Sequence, residues 1–120
     1  MQPQIEKTKF GSITIDGETY SHDILIRLGG AVEKRTKKLS KELYGTSHII
    51  SLAEAEYVYE NGAGELIVGT GQFGRAGLSD EAEEFLKQMC CSVKLLPTKK
   101  AIAAWNQAEG NVIGLFHITC

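Results

Sequence analysis

Two short stretches of this 120-residue sequence bring together residue types that can do chemistry. The first is Gly69-Thr70-Gly71-Gln72-Phe73-Gly74, whose G-x-G-x-x-G spacing lets backbone amides approach a pyrophosphate. Arg75, Thr98 and Lys99 could add two cations and a hydroxyl to it. The second is His117-Ile118-Thr119-Cys120, an imidazole and a thiol three positions apart, the ingredients of a Cys–His nucleophile pair. Both are incomplete. The helix after the glycines starts only near Ser79, too late to offer its N-terminus to a pyrophosphate, and no acid follows the next strand to hold a ribose. The loop therefore points to a small anion or phosphate-bearing ligand rather than a dinucleotide, and a turn that lets two backbones pass closely explains it equally simply. Strand residues three apart face opposite sides, so His117 and Cys120 form a pair only if the chain leaves the sheet there. A buried histidine satisfied by a hydrogen bond is the plainer reading, with the acid that would orient it not visible nearby in sequence. A salt bridge from Arg75 or Lys99 to the Cys120 α-carboxylate is a further structural account of the same residues.

Hydrophobic periodicity supplies the elements that must position these residues. Residues 10–15 alternate as a strand, Asp16-Gly17 is a two-residue turn, and residues 18–27 return as a second strand ending at Gly29-Gly30. Residues 31–34 are expected to pair once more. Residues 39–48 have no firm period and read as chain wrapping the surface. Ser51-Leu52-Ala53-Glu54 is a capping box in which Ser51 and Glu54 satisfy each other's free amides, opening a helix to about residue 60. A short apolar strand, residues 65–68, leads into the glycine loop. Ser79 with Asp80 and Glu81 starts the next helix, whose Ala82, Phe85, Leu86 and Met89 define a buried face. Residues 92–96 form a strand, and Pro97-Thr98 ends it and caps a helix through Gln107 with Ile102 and Trp105 inward. Residues 112–118 are almost wholly apolar, as a strand covered on both faces would be. Strand–helix–strand–helix–strand with short links makes the last three strands parallel. The expected fold is a single three-layer α/β domain spanning residues 1–120. Its central mixed sheet carries helices, with an N-terminal β-hairpin followed by β-α-β-α-β. Parallel strands share one carboxyl edge, so the glycine loop, the helix start at Thr98-Lys99 and Thr119-Cys120 should converge there, where open α/β sheets bind ligands.

Composition excludes several classes. With 13 Lys+Arg against 15 Asp+Glu, the net charge of −2 lacks the footprint of a general nucleic-acid binder. The run Lys34, Arg35, Lys37, Lys38 and Lys41 has no interleaved aromatic and reads as a solvated face. No apolar run is long enough to span a bilayer, and the start shows no secretory leader pattern. Three cysteines, two of them adjacent, suit a reducing, cytoplasmic setting, and Cys90-Cys91 read as packing residues. His22, His48 and His117 are scattered without metal-ligand spacing, so neither a metal nor a cofactor is expected.

Four stretches carry a family resemblance: Tyr20-Ser21-His22-Asp23-Ile24, Lys41-Glu42-Leu43-Tyr44-Gly45-Thr46-Ser47-His48, Ile67-Val68-Gly69-Thr70-Gly71-Gln72-Phe73-Gly74 and Phe116-His117-Ile118-Thr119-Cys120. Together they resemble the adipogenesis-associated domain family, in its prokaryotic branch, over nearly the whole chain. The resemblance implies a three-layer α/β domain with a mixed sheet, without established catalysis, cofactor or assigned catalytic residues. Its animal relative is linked to fat-cell differentiation, and a distant mitochondrial relative assists assembly of respiratory complex I. It therefore implies a non-catalytic interaction or assembly module with a protein partner. A small-anion binder or enzyme using the glycine loop is the alternative, and the oligomeric state is left open.

Overall fold

A computed structural model describes residues 2–45 and 48–119. The N-terminal strands β1 (Ile5–Lys9), β2 (Ser12–Ile15) and β3 (Glu18–Tyr20) form a three-stranded antiparallel sheet. Residues 18–27 are not one strand. Ser21, His22 and Asp23 interrupt them, and β4 (Ile24–Ile26) belongs to a second sheet with β5 (Val32–Lys34) beside it. That second sheet is completed by β7 (Glu65–Thr70), β9 (Ser92–Leu96) and β10 (Val112–His117), in the order β5-β4-β10-β7-β9. β7, β9 and β10 are parallel, as the βαβ reading requires, and β4 runs antiparallel to β10.

Residues 39–48 hold a helix that periodicity could not reveal: α1 (Lys38–Tyr44), closed by Gly45 in the left-handed conformation. Its one buried residue is Ser40, so it has no apolar stripe to read. Of the same segment, Thr46 and Ser47 lie outside the described residues. β6 (Ile49–Ile50) pairs with β8 (Gly77–Leu78), α2 covers Leu52–Val58, α3 Asp80–Gln88 and α4 Thr98–Gln107. The α3 stripe is shorter than its spacing suggests. Ala82 and Leu86 are fully buried, whereas Met89, the helix's C-cap, is 41% exposed.

Three layers result. Ala55, Val58, Ala82 and Leu86 of α2 and α3 pack on one face of the mixed sheet, with Leu25, Leu66, Val68, Ile113 and Leu115. Ala101, Ile102 and Trp105 of α4 pack on the other with Ile67 and Phe116, and the small sheet adds Ile5, Ile13 and Ile15 to that side. Trp105 donates from Nε1 to Pro3 O at 2.8 Å, which ties α4 to the N-terminal segment. Gly114 is a packing requirement: a Cβ there would stand 2.6 Å from the Phe116 ring and 3.0 Å from Trp105. Its absence lets those rings meet edge to face at 5.8 Å, near the preferred aromatic geometry.

Candidate functional site

From β7 the chain crosses through α3 to β9 on one side, then returns through α4 to β10 on the other side of β7. The reversal puts the switch point of the sheet between the carboxyl ends of β7 and β10, where open α/β sheets form their crevice. The expected convergence is present. Thr98 Oγ1 donates to His117 O at 2.6 Å and accepts from Gly71 N at 2.9 Å, Thr98 N donates to Gly71 O, and Gln72 N donates to Thr119 O at 2.7 Å.

These bonds also fill the crevice. The Thr98 hydroxyl does not cap its helix, whose N-cap residue is Pro97 and which has no side-chain cap; it clasps the ends of two strands instead. Gly69 and Thr70 are buried, and a Cβ on Gly69 would stand 2.9 Å from Thr98 Oγ1. The glycine spacing thus serves the close passage of β7, β10 and α4. Gln72 sends its amide to Thr8 Oγ1 at 3.0 Å, fastening the loop to β1. Gly74 turns with a φ of +69° against Pro97. What remains outward is Phe73, Arg75 and Lys99, all exposed. Surface cavities of about 510, 310, 160 and 240 Å³ are lined by other residues.

Beneath the crevice, on the α2 side of the sheet, lies a charge cluster that sequence reading missed. Asp23, Arg35, Ser40, Ser51, Glu54 and His117 are all buried. Arg35 bridges two carboxylates, with Nη1 2.9 Å from Asp23 Oδ2 and with Nε and Nη2 at 2.5 and 2.9 Å from the two Glu54 oxygens. Asp23 also accepts from His117 Nδ1 at 2.7 Å and from Ile118 N at 2.9 Å. Burial alone would raise the Asp23 pKa, but the hydrogen bond and charge of His117, the Ile118 amide and Lys37 together hold it at about 2. An ionised carboxylate only accepts, so His117 donates to it from Nδ1. Its Nε2 lies within hydrogen-bond distance of Thr119 Oγ1, at 3.2 Å. The His48 ring meets His117 edge to face at 5.5 Å.

Three readings change accordingly. Glu54 does not return to the Ser51 amide, so only half the capping box forms: Ser51 Oγ accepts from Glu54 N at 3.1 Å, while Ser40 Oγ takes the Ser51 amide and the Glu54 carboxylate turns to Arg35 and Ser40. Arg35 is not part of a solvated basic face but the centre of the buried cluster. Two of the three histidines are neighbours rather than scattered. His117 has its orienting acid in Asp23, 94 positions away in sequence, and Cys120, its suggested partner, lies outside the described residues. Among the described residues no group of His, Cys, Asp or Glu has the arrangement to hold a metal. Burial pushes the Cys91 thiol up, with Glu65 adding to it, which makes it a packing group and not a nucleophile.

The exposed rim of this edge has a different character. Phe10, at the β1–β2 turn, is 60% exposed, and Phe73 is 68% exposed, yet their rings lie 6.2 Å apart. The Arg75 guanidinium sits 6.0 Å from the Phe73 centroid. The segments that carry this rim, residues 7–14, 69–79 and 97–100, contain Lys7, Lys9, Arg75, Lys99 and Lys100 and no Asp or Glu. The acids are concentrated elsewhere, with Glu56, Asp80, Glu81 and Glu84 around a 510 Å³ groove between α2 and α3.

Residues 5–117 match a family described as protein of unknown function (DUF498/DUF598). The chain belongs to that family. A conserved hypothetical protein from Pyrococcus horikoshii OT3 is 33% identical, with 98% of this chain and 99% of that one covered and a TM-score of 0.91. The protein MT938 is 30% identical over 99% of this chain and 100% of its own, with a TM-score of 0.82. A Mth938-like domain from Bordetella pertussis, 21% identical, shares the fold with a TM-score of 0.65, over 97% of this chain and 85% of that one. These family members are described by their structures and carry no stated activity. No helix among the described residues is long and apolar enough to cross a membrane.

Proposed function

We propose that this protein is a non-catalytic docking domain that binds an acidic, apolar segment of a protein partner through the carboxyl-edge rim. The observation that carries this reading is the exposed Phe10–Phe73 pair with the Arg75 guanidinium beside it. Large aromatics and arginine are the residues that dominate protein interfaces, and an exposed aromatic pair fixed at its base by the Gln72–Thr8 hydrogen bond loses little entropy on binding. The resemblance to the adipogenesis-associated family, with its differentiation and assembly roles, points the same way, as does the reducing, cytoplasmic setting that suits adjacent unpaired cysteines. The test is quantitative capture from native extract with wild type, Phe73→Ser and Arg75→Glu in parallel. One acidic partner recovered near stoichiometry by wild type, and lost from both variants, is the expected result. Equal recovery by the variants, or no stoichiometric partner, overturns it.

A second reading, a small anion held by Arg75 and Lys99 at the glycine loop, is favoured by the exposure of both cations beside it. The loop's Gly71 amide and the Thr98 hydroxyl satisfy each other, so such an anion would rest on the two cations and the rim. Stabilisation of wild type by small carboxylates or phosphate, abolished by Arg75→Glu with Lys99→Glu, is its signature in thermal unfolding.

A further inference from the structure

We propose that the outer face of the β1–β2–β3 sheet is a binding site for a phosphate group, free or as a small monoester. A cavity of about 310 Å³, in the size range of small-ligand sites, opens on this face and is lined by Lys7, Thr8, Lys9, Ser12, Thr14 and Thr19. Its lining residues are two lysines, three threonines and a serine, without a carboxylate or an apolar side chain.

The register explains how that composition arises. Lys7 stands opposite Thr14 and Lys9 opposite Ser12, while Thr14 stands opposite Thr19, so alternation sends all five to one face. Cross-strand neighbours of exposed lysines are ordinarily where an opposite charge adds stability, yet here both are hydroxyl residues. The acids of this sheet are held off the face. A bulge between Ile5 and Lys7 displaces Glu6, whose carboxylate accepts from the Gly17 amide at the turn. Glu18 pairs with Ile15 on the opposite, core-facing side and binds the Tyr20 hydroxyl, raising its pKa. Neither Lys7 nor Lys9 forms an ion pair among the described residues.

Donors are therefore in surplus. The ammonium groups are unpaired, and the Ser12 hydroxyl has no partner among the described residues. The buried Thr14 hydroxyl and that of Thr19 share one hydrogen bond at 2.9 Å, which leaves one of their two protons to donate. Lysines two apart on one strand, roughly 6–7 Å along its axis, can flank a single tetrahedral oxyanion while hydroxyls take its remaining oxygens. Thr8 is already fixed by donating to Ser12 O at 2.8 Å and accepting from Gln72, which gives the cavity a rigid wall.

The test is amide chemical-shift titration of the whole chain with inorganic phosphate, ribose 5-phosphate and AMP, against sodium chloride at matched ionic strength. Saturable shifts centred on residues 7–19 are expected, weakened at least tenfold by Lys7→Glu with Lys9→Glu and retained by Lys7→Arg with Lys9→Arg. Equal saturation by all three probes assigns free phosphate as sufficient, and tighter binding of the esters assigns a monoester. Shifts reproduced by chloride, centred on Arg75 and Lys99, or unchanged in the charge-reversed variant overturn the proposal. Should that variant misfold, Ser12→Ala with Lys9→Gln gives the same reading, with at least a threefold loss expected.

Discussion

The same edge of the sheet uses charge in two opposite ways. Inside, Arg35 is closed off by Asp23 and Glu54, and every polar atom of the cluster has a partner. Outside, Arg75 lies by an exposed ring and forms no ion pair among the described residues. Buried charges are tolerable only when paired, and their worth lies in fixing one arrangement of the elements that contribute them. Here those elements are the segment before β4, the one after β5, α2 and the end of β10. The outer charge fixes nothing in the fold, which leaves it available to a partner.

Replacing Arg35 by Met should produce the largest effect and break the inner region alone. It strands two buried carboxylates, and a loss of about 3–5 kcal/mol in urea unfolding is expected. Sharpening the comparison, Arg35→Met with Asp23→Leu and Glu54→Leu should recover a substantial part of that loss, since it removes the unpaired charges along with their partner. If the triple variant is as unstable as the single one, the cluster contributes more than charge balance.

Acid should separate the regions next. Asp23 is depressed from 3.8 to about 2 in the folded chain, so its contribution is present above the unfolded value and is lost as pH falls from about 4 through 2. That contribution is on the order of 2 kcal/mol. Asp23→Asn should be less stable at neutral pH and show a shallower loss between pH 4 and 2 than wild type. A parallel acid limb in the two proteins would contradict the assignment.

Thr98→Val tests the clasp between regions. It keeps the shape but leaves the Gly71 amide and His117 carbonyl without that partner, at a cost of roughly 1–3 kcal/mol by chemical denaturation. Smallest of all, Phe73→Ser should change stability by no more than about 0.5 kcal/mol, because the ring is 68% exposed. Large destabilisation by Phe73→Ser would mean that the rim, too, holds the fold together.

The two regions also differed in how far the sequence exposed them. Parallel strands and their helices announce themselves through apolar spacing, so the convergence of the glycine loop, Thr98 and Thr119 followed from element order. The cluster did not, for three physical reasons. α1 docks through a serine, which no hydrophobic period marks. Arg35 sits among lysines, and only its surroundings distinguish it. Asp23 and His117 meet across 94 positions through a sheet pairing that one sequence does not specify. Glu54 has the residue type of a capping box but a different partner, because local capping loses to a buried guanidinium.

The strand order has a consequence for how the chain is made. β10 alone joins the antiparallel pair β4–β5 to the parallel pair β7–β9, and it also brings His117 to Asp23. During synthesis the two half-sheets emerge first, with no ladder between them and the Asp23 and Arg35 charges still solvated. While residues 112–117 remain inside the ribosome the two half-sheets cannot join, so closure of the domain waits for β10.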